Sequence, residues 1–226
     1  LTSKQVDDFE VSLADWDDEM YVLYTSGSTG KPKGVSITYG AFSNYIDSIT
    51  DKYVESKVYT MPLFTSVGFD LTMTSVFLPM CTGGSIHLYA EDTGIDLSIQ
   101  EVQKNTAINC FKCTPSHLRL IDEQGLQANV ESIIVGGENF PSDLAQRITN
   151  KAGGTLAIYN EYGPTEATVG CIVHRYSEEA NGDRVAVQIG QPLKNYFAFI
   201  ANDQGTPLPH GTVGERRVCG RSPCSR

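Results

Sequence analysis

Residues 24–34 of the chain read Tyr24-Thr25-Ser26-Gly27-Ser28-Thr29-Gly30-Lys31-Pro32-Lys33-Gly34. Glycines let the backbone turn its N–H groups toward an anion, hydroxyls add further donors, and the two lysines add positive charge. That is the chemistry of a phosphate cradle. It is not a Walker A loop, because Lys31 is followed by Pro32 rather than Ser or Thr and the glycine spacing is wrong. A plain surface loop is the competing reading, and the run's position directly after an apolar segment weighs against it.

A second cluster, Asn160-Glu161-Tyr162-Gly163-Pro164-Thr165-Glu166, brings together an aromatic ring, a Gly-Pro turn, a hydroxyl and two carboxylates. At the carboxyl end of a strand these groups form a ligand rim. Tyr162 is able to stack on a base, Thr165 to donate to a phosphate, and Glu166 to hold a hard cation such as Mg²⁺. Taken alone, the run reads first as an ordinary turn that contains a tyrosine.

Both clusters need a scaffold, and the hydropathy pattern supplies one. Short apolar, β-forming runs predict strands over 20–24, 34–38, 58–61, 85–89, 108–112, 132–135 and 156–159. Between them, helices are predicted over 41–52, 71–78 (stopped by Pro79), 97–105, 115–122 and 141–152. Alternation of this kind predicts an α/β fold with helix-covered sheets. Past Gly190 it stops, and strand-like runs over 197–201 and 213–218 mark the start of a small β unit. The division is therefore 1–189 for the central α/β part and 190–226 for the β unit.

Composition narrows the function. Seventeen Lys+Arg against twenty-seven Asp+Glu leave a formal charge of −10, which offers no basic field for a nucleic acid. No apolar run approaches the ~18 residues a membrane span needs. The sequence opens Leu1-Thr2-Ser3 without a basic, apolar leader, so it is expected to start inside a longer chain. Cys110-x-x-Cys113 lacks the well-placed second pair a zinc site requires, since Cys219 and Cys224 lie in an unusual terminal segment. The expectation is buried thiols in a reducing, cytoplasmic protein.

The two clusters together, in this order and separation, resemble adenylate-forming enzymes, and most closely the amino-acid-activating adenylation domains of nonribosomal peptide synthetases. The resemblance runs from about residue 20 to about residue 220. Phe69-Asp70-Leu71-Thr72, Gly136-Gly137-Glu138 and Gly190-Gln191-Pro192 with Asn195 add weaker matches. It implies the large N-terminal subdomain of such enzymes, with the start of a small β-barrel unit. It also implies a ligase that joins an amino-acid carboxylate to the α-phosphate of ATP, releases pyrophosphate, and passes the acyl group to a phosphopantetheine thiol on a carrier domain. Carrier and condensation domains of a parent synthetase would be its partners. By the same resemblance Thr25, Ser26, Gly27, Ser28, Thr29, Gly30 and Lys33 handle the β- and γ-phosphates. Thr165 holds the α-phosphate and Glu166 the magnesium ion. Gly136, Gly137, Glu138, Asn160, Tyr162 and Gly163 line the adenine slot, and Lys33, Thr165 and Glu166 are the catalytic set.

The family reads its amino acid through pocket positions that map here onto Asp70, Leu71, Thr74, Lys112, Ile134, Gly136, Glu161, Val169 and Gly170. Asp70 matches the carboxylate that pairs with a substrate α-ammonium, which favours an α-amino acid over the alternative of an acyl- or aryl-acid ligase. On residue type alone, Lys112 and Glu161 read as a structural salt bridge, or Lys112 as an edge-strand side chain in solvent. On the family's alignment both face the side-chain end of the pocket, where a donor and an acceptor suit a terminal carboxamide. An aspartate side chain would meet Glu161 as a like charge, at a cost of several kcal/mol in a low dielectric. The expected substrate is L-asparagine, then aspartate, then glutamine with its extra methylene. The signature also looks like asparagine-type signatures of the family.

Some positions depart from the pattern. Tyr39 stands where the family has His, and Arg216 and Arg217 stand where a Gly-Glu-Leu strand carries apolar residues. Residues 221–226 match no element. The ribose-binding Asp and lysine-bearing small subdomain are expected beyond residue 226, so the fragment alone is expected to be inactive. A non-catalytic nucleotide-binding module is the reading from another functional class.

Overall fold

A computed structural model describes residues 13–26, 31–53, 58–89 and 94–220. Strands β1 (Glu19–Thr25) and β2 (Lys33–Thr38) form an antiparallel hairpin, with Thr25 opposite Lys33. Helix α1 (Tyr39–Tyr53) follows at once. Its apolar residues fall three or four apart, so Phe42, Tyr45, Ile46, Ile49 and Tyr53 form one buried stripe.

Next come β3 (Thr60–Leu63), α2 (Leu71–Thr82) and β4 (Ser85–Leu88), a right-sized crossover unit whose two strands pair in parallel. Pro79 does not end α2 as the sequence predicts; it lies inside the helix. Proline removes its own N–H but leaves its carbonyl as an acceptor. That carbonyl accepts from the Gly84 N–H at 2.8 Å, the Thr82 hydroxyl donates to Leu78 O at 3.0 Å, and Gly83 at φ 74° supplies the left-handed cap.

The remaining alternation is α3 (Ile95–Lys104), β5 (Cys110–Cys113), α4 (Pro115–Gln124), β6 (Ser132–Gly136), α5 (Ser142–Lys151) and β7 (Ala157–Tyr162). Thr114 caps α4 through a reciprocal bond with His117, with Pro115 at the first helical position. Strands β5, β6 and β7 are parallel, and β8 (Ile172–Arg175) and β9 (Gln191–Pro192) extend the sheet antiparallel, in the order β5-β6-β7-β8-β9. The β3–β4 pair abuts β5 through Asn109, whose N–H donates to Thr60 O (3.1 Å) and whose Oδ1 accepts from Thr60 N (2.8 Å).

Side chains alternate between two cores across this sheet, as strand geometry requires. Cys110, Ile134, Ala157 and Tyr159 join the core under α1 and α2. Phe111, Cys113, Ile133, Val135 and Ile158 join the core under α3, α4 and α5. Helix α6 (Glu178–Asn181) is one short turn, and β10 (Phe197–Ala201) pairs antiparallel with β11 (Glu215–Cys219). The sheet runs past residue 189 into β9, so the two expected parts of the chain share it. No helix among the described residues is long and apolar enough to cross a membrane.

Candidate functional site

The alternation places Lys112, Ile134 and Glu161 on one face, toward α1 and α2. Lys112 is the register partner of Ile134, and Gly136 of Glu161, all near the carboxyl ends of parallel strands where ligands of open α/β sheets bind. The sequence reads residues 160–162 as a turn, but they are the end of β7, held by β8 with Glu161 opposite Val173. Strand pairing therefore fixes the Glu161 backbone.

Glu161 is 4% exposed and Lys112 1%. Their charged ends form an ion pair, so of the expectations above the salt bridge is present. The carboxylate also accepts from Tyr53 (2.5 Å, on Oε2) and from Tyr45 (3.2 Å to Oε1 and 3.4 Å to Oε2). Tyr45 in turn shares a 2.6 Å hydrogen bond with Thr74. Burial, with the Glu161 charge second, pushes both phenols well above their ordinary range, so both stay protonated. Sequence reasoning had Thr74 but missed Tyr45 and Tyr53; their only signal was two hydroxyls on the apolar stripe of α1.

Behind this network the chain turns back at Val169 and Gly170. Thr168 and Val169 adopt φ 59° and 64°, an uncommon state for a non-glycine residue and a strained one for β-branched valine. A Cβ at Gly170 would lie 2.5 Å from Glu161 Cδ, and one at Gly163 would lie 2.7 Å from Gly170 Cα. Both positions must be bare for Glu161 to sit where it does.

Asp70 precedes α2 beside this network, with Leu71 in the first turn. Its Oδ2 is buried without a hydrogen-bond partner. Burial raises its pKa from the ordinary 3.8, partly offset by a hydrogen bond with Thr165 and by the Lys112 charge. Asp70 and Leu71 line a cleft of about 550 Å³ with Phe69, Thr114, Gly137 and Glu138. Glu138 accepts from the Ser116 hydroxyl at 2.6 Å.

Gly137 and Glu138 also border a second cleft, of about 380 Å³, lined by Asn160, Glu161, Tyr162, Gly163 and Ile189. The Asn160 amide donates to Val187 O (3.2 Å) and Gln188 O (3.0 Å), fixing one wall. Arg216 reaches in from β11, its guanidinium carbon 4.7 Å from the Tyr162 ring centre. One face of Tyr162 is thus covered by a residue that sequence analysis marked only as a departure.

Thr165 and Glu166 occupy a single 3₁₀ turn (Thr165–Ala167), where Glu166 is exposed, and β2 packs against that turn. The hairpin carrying Thr25, Ser26 and Lys33 therefore approaches the second cluster, while Gly27, Ser28, Thr29 and Gly30 lie outside the described residues. Among the described residues there is no group of three or more His, Cys, Asp or Glu able to hold a metal. An exposed Glu166 still fits Mg²⁺, which commonly takes one or two carboxylates and completes its shell with phosphate oxygens and water. Cys110, Cys113 and Cys171 are buried, as expected for the first two, and Cys113 and Cys171 are free thiols.

Comparison with known proteins agrees with this geometry. A family model described as AMP-binding enzyme matches residues 2–225. The chain is 38% identical over 205 residues to tyrocidine synthase 3 of Brevibacillus parabrevis and 39% identical over 202 residues to bacitracin synthase 3 of Bacillus licheniformis. These matches cover 90% and 88% of the chain but only 3% of each synthase. A crystal structure of holo-AB3403, a four domain nonribosomal peptide synthetase bound to AMP and glycine, superposes with a TM-score of 0.77 at 26% identity. It covers 90% of this chain and 15% of that one.

Proposed function

The chain belongs to the AMP-binding enzyme family, and from that premise we propose that it supplies the nucleotide and amino-acid sites of an adenylation domain in a nonribosomal peptide synthetase. Because the chain spans about 3% of the synthases it matches, the reaction is assigned to the intact synthetase. An oxygen of the amino-acid carboxylate attacks the α-phosphorus of ATP, the α–β bridging bond breaks, and pyrophosphate leaves. The thiol of a phosphopantetheine on a carrier domain then attacks the acyl carbon, the bond from that carbon to the phosphate oxygen breaks and AMP leaves, with a condensation domain as further partner. The buried free thiols of Cys113 and Cys171 fit a reducing, cytoplasmic setting.

The residues divide the work by charge. Thr25, Ser26, Lys33 and the glycine-rich loop hold the β- and γ-phosphates, Thr165 the α-phosphate, and Gly136, Gly137, Asn160 and Tyr162 the adenine. Arg216 must leave one face of Tyr162, or the base must use the other. Mg²⁺ at Glu166 would neutralise charge on the leaving pyrophosphate.

The observation that carries the amino-acid reading is the unpartnered buried oxygen of Asp70. A buried carboxylate oxygen without a donor calls for a cation, and a substrate α-ammonium is one. The side-chain end has the opposite character, because Lys112 and Glu161 already neutralise each other. A neutral carboxamide can bridge such a pair, its oxygen accepting from Lys112 while its NH₂ donates to Glu161. A second carboxylate would leave a net negative charge there. We therefore assign L-asparagine, ahead of aspartate and glutamine. Amino-acid-dependent pyrophosphate exchange by the intact synthetase tests this, and asparagine should give the highest rate. A preference for aspartate or for an apolar amino acid would overturn the assignment.

A further inference from the structure

We propose that Tyr45 and Tyr53, both on α1, are positioning residues for amino-acid selectivity. Their hydroxyls hold the Glu161 carboxylate in the orientation from which it accepts from the substrate side chain. The inference deepens the adenylation reading and rests on it.

Lys112 alone would leave the Glu161 carboxylate free to turn about its last bond. Tyr53 donates to Oε2 at 2.5 Å and Tyr45 donates across both oxygens, which sets the plane of the group. Phenylalanine would fill the same core volume without burying a polar atom, so packing of the stripe does not require these hydroxyls. Tyr59 shows the alternative: its hydroxyl donates to a backbone carbonyl, Tyr53 O, at 2.5 Å. Tyr45 and Tyr53 both turn to one side chain instead. Gly170 closes the carboxylate from behind. Selectivity is thus written partly on a helix whose residues lie one layer outside the pocket.

The test is pyrophosphate exchange by the intact synthetase with all twenty amino acids, comparing wild type, Tyr53→Phe and Tyr45→Phe. Losing a hydrogen bond to a buried charge should raise KM for the preferred amino acid about tenfold in Tyr53→Phe. The kcat and the KM for ATP should hold, and the margin over the next amino acid should narrow. Tyr45→Phe should act in the same direction but less, because that hydroxyl is shared with Thr74. A fall in kcat by one common factor for every amino acid, with the preference profile unchanged, would mean a packing role and overturn the proposal. If Tyr53→Phe does not fold, Tyr45→Phe decides on the same readouts. A wild type that prefers another amino acid removes the asparagine assignment, while the effect of Tyr53→Phe on that preference still decides this inference. A wild type without exchange removes both.

Discussion

Glu161 is 4% exposed, with an ammonium and two phenols directed at its carboxylate, whereas Asp70 has a buried oxygen with no donor. Asp70 lines one cleft and Glu161 the one beside it, yet the fold supplies partners to the Glu161 carboxylate and leaves an oxygen of Asp70 open. A buried charge that is paired with an opposite charge is part of the protein's architecture, and removing the counter-charge is felt as instability. A buried charge left open is tolerated only at a cost, which a cationic ligand offsets on binding. On the proposed function, the contrast gives stability and selectivity to Glu161 and capture of the ammonium to Asp70.

The sharpest way to break this contrast is at Lys112. Lys112→Met leaves Glu161 buried with its phenols but without a counter-charge, and should lower stability by about 3–5 kcal/mol. The double variant Lys112→Met/Glu161→Leu removes both charges at similar volume and should recover most of that loss. Thermal denaturation of the protein reads both. If the single variant is as stable as the double, the two phenols alone satisfy the carboxylate and the ion pair is incidental.

A smaller loss is expected at Gly170. Its backbone does not need positive φ, so alanine there is opposed only by space, with the new Cβ 2.5 Å from Glu161 Cδ. That side chain is pinned by Lys112 and both tyrosines and has no room to yield. Gly170→Ala should cost about 1–3 kcal/mol, in the range of other overpacked cores. It should also disturb amino-acid preference. A variant with unchanged melting temperature and preference would show that Glu161 is more mobile than its contacts imply.

The same contrast separates what the sequence could tell from what it could not. Apolar runs marked the strands over 108–112, 132–135 and 156–159, each legible one segment at a time. It was the family resemblance, not any local pattern, that gathered Lys112, Ile134 and Glu161 into one pocket. The antiparallel partner β8 was not legible, because Ile172–Arg175 is four residues long and its effect is to turn an apparent Asn-Glu-Tyr loop into strand. Tyr45 and Tyr53 were hidden for a similar reason. On an amphipathic helix a tyrosine counts as apolar, and only the tertiary fold shows that two hydroxyls, eight residues apart, converge on one carboxylate. Arg216 was visible as an oddity, but nothing local placed it over Tyr162.

The gentlest effect on stability should come from Asp70, and its sign depends on pH. Its pKa in the fold is raised from 3.8, chiefly by burial. Below the ordinary carboxylate range, Asp70 is protonated in both the folded and unfolded states and contributes nothing. As pH rises through 3.8, the unfolded state loses its proton first, so the folded state falls behind in stability until its own raised pKa is passed. Above that the cost is constant. Asp70→Asn keeps an oxygen for Thr165 and never ionises, so it escapes this cost. Melting temperatures of variant and wild type should coincide in acid, diverge in favour of the variant as pH rises, and run parallel at neutral pH. Amino-acid-dependent exchange should be lost at the same time, because the ammonium has lost its counter-charge. A variant less stable than wild type at neutral pH would show that Thr165 and Lys112 already satisfy the Asp70 carboxylate inside the fold, and that its second oxygen is not open to a ligand.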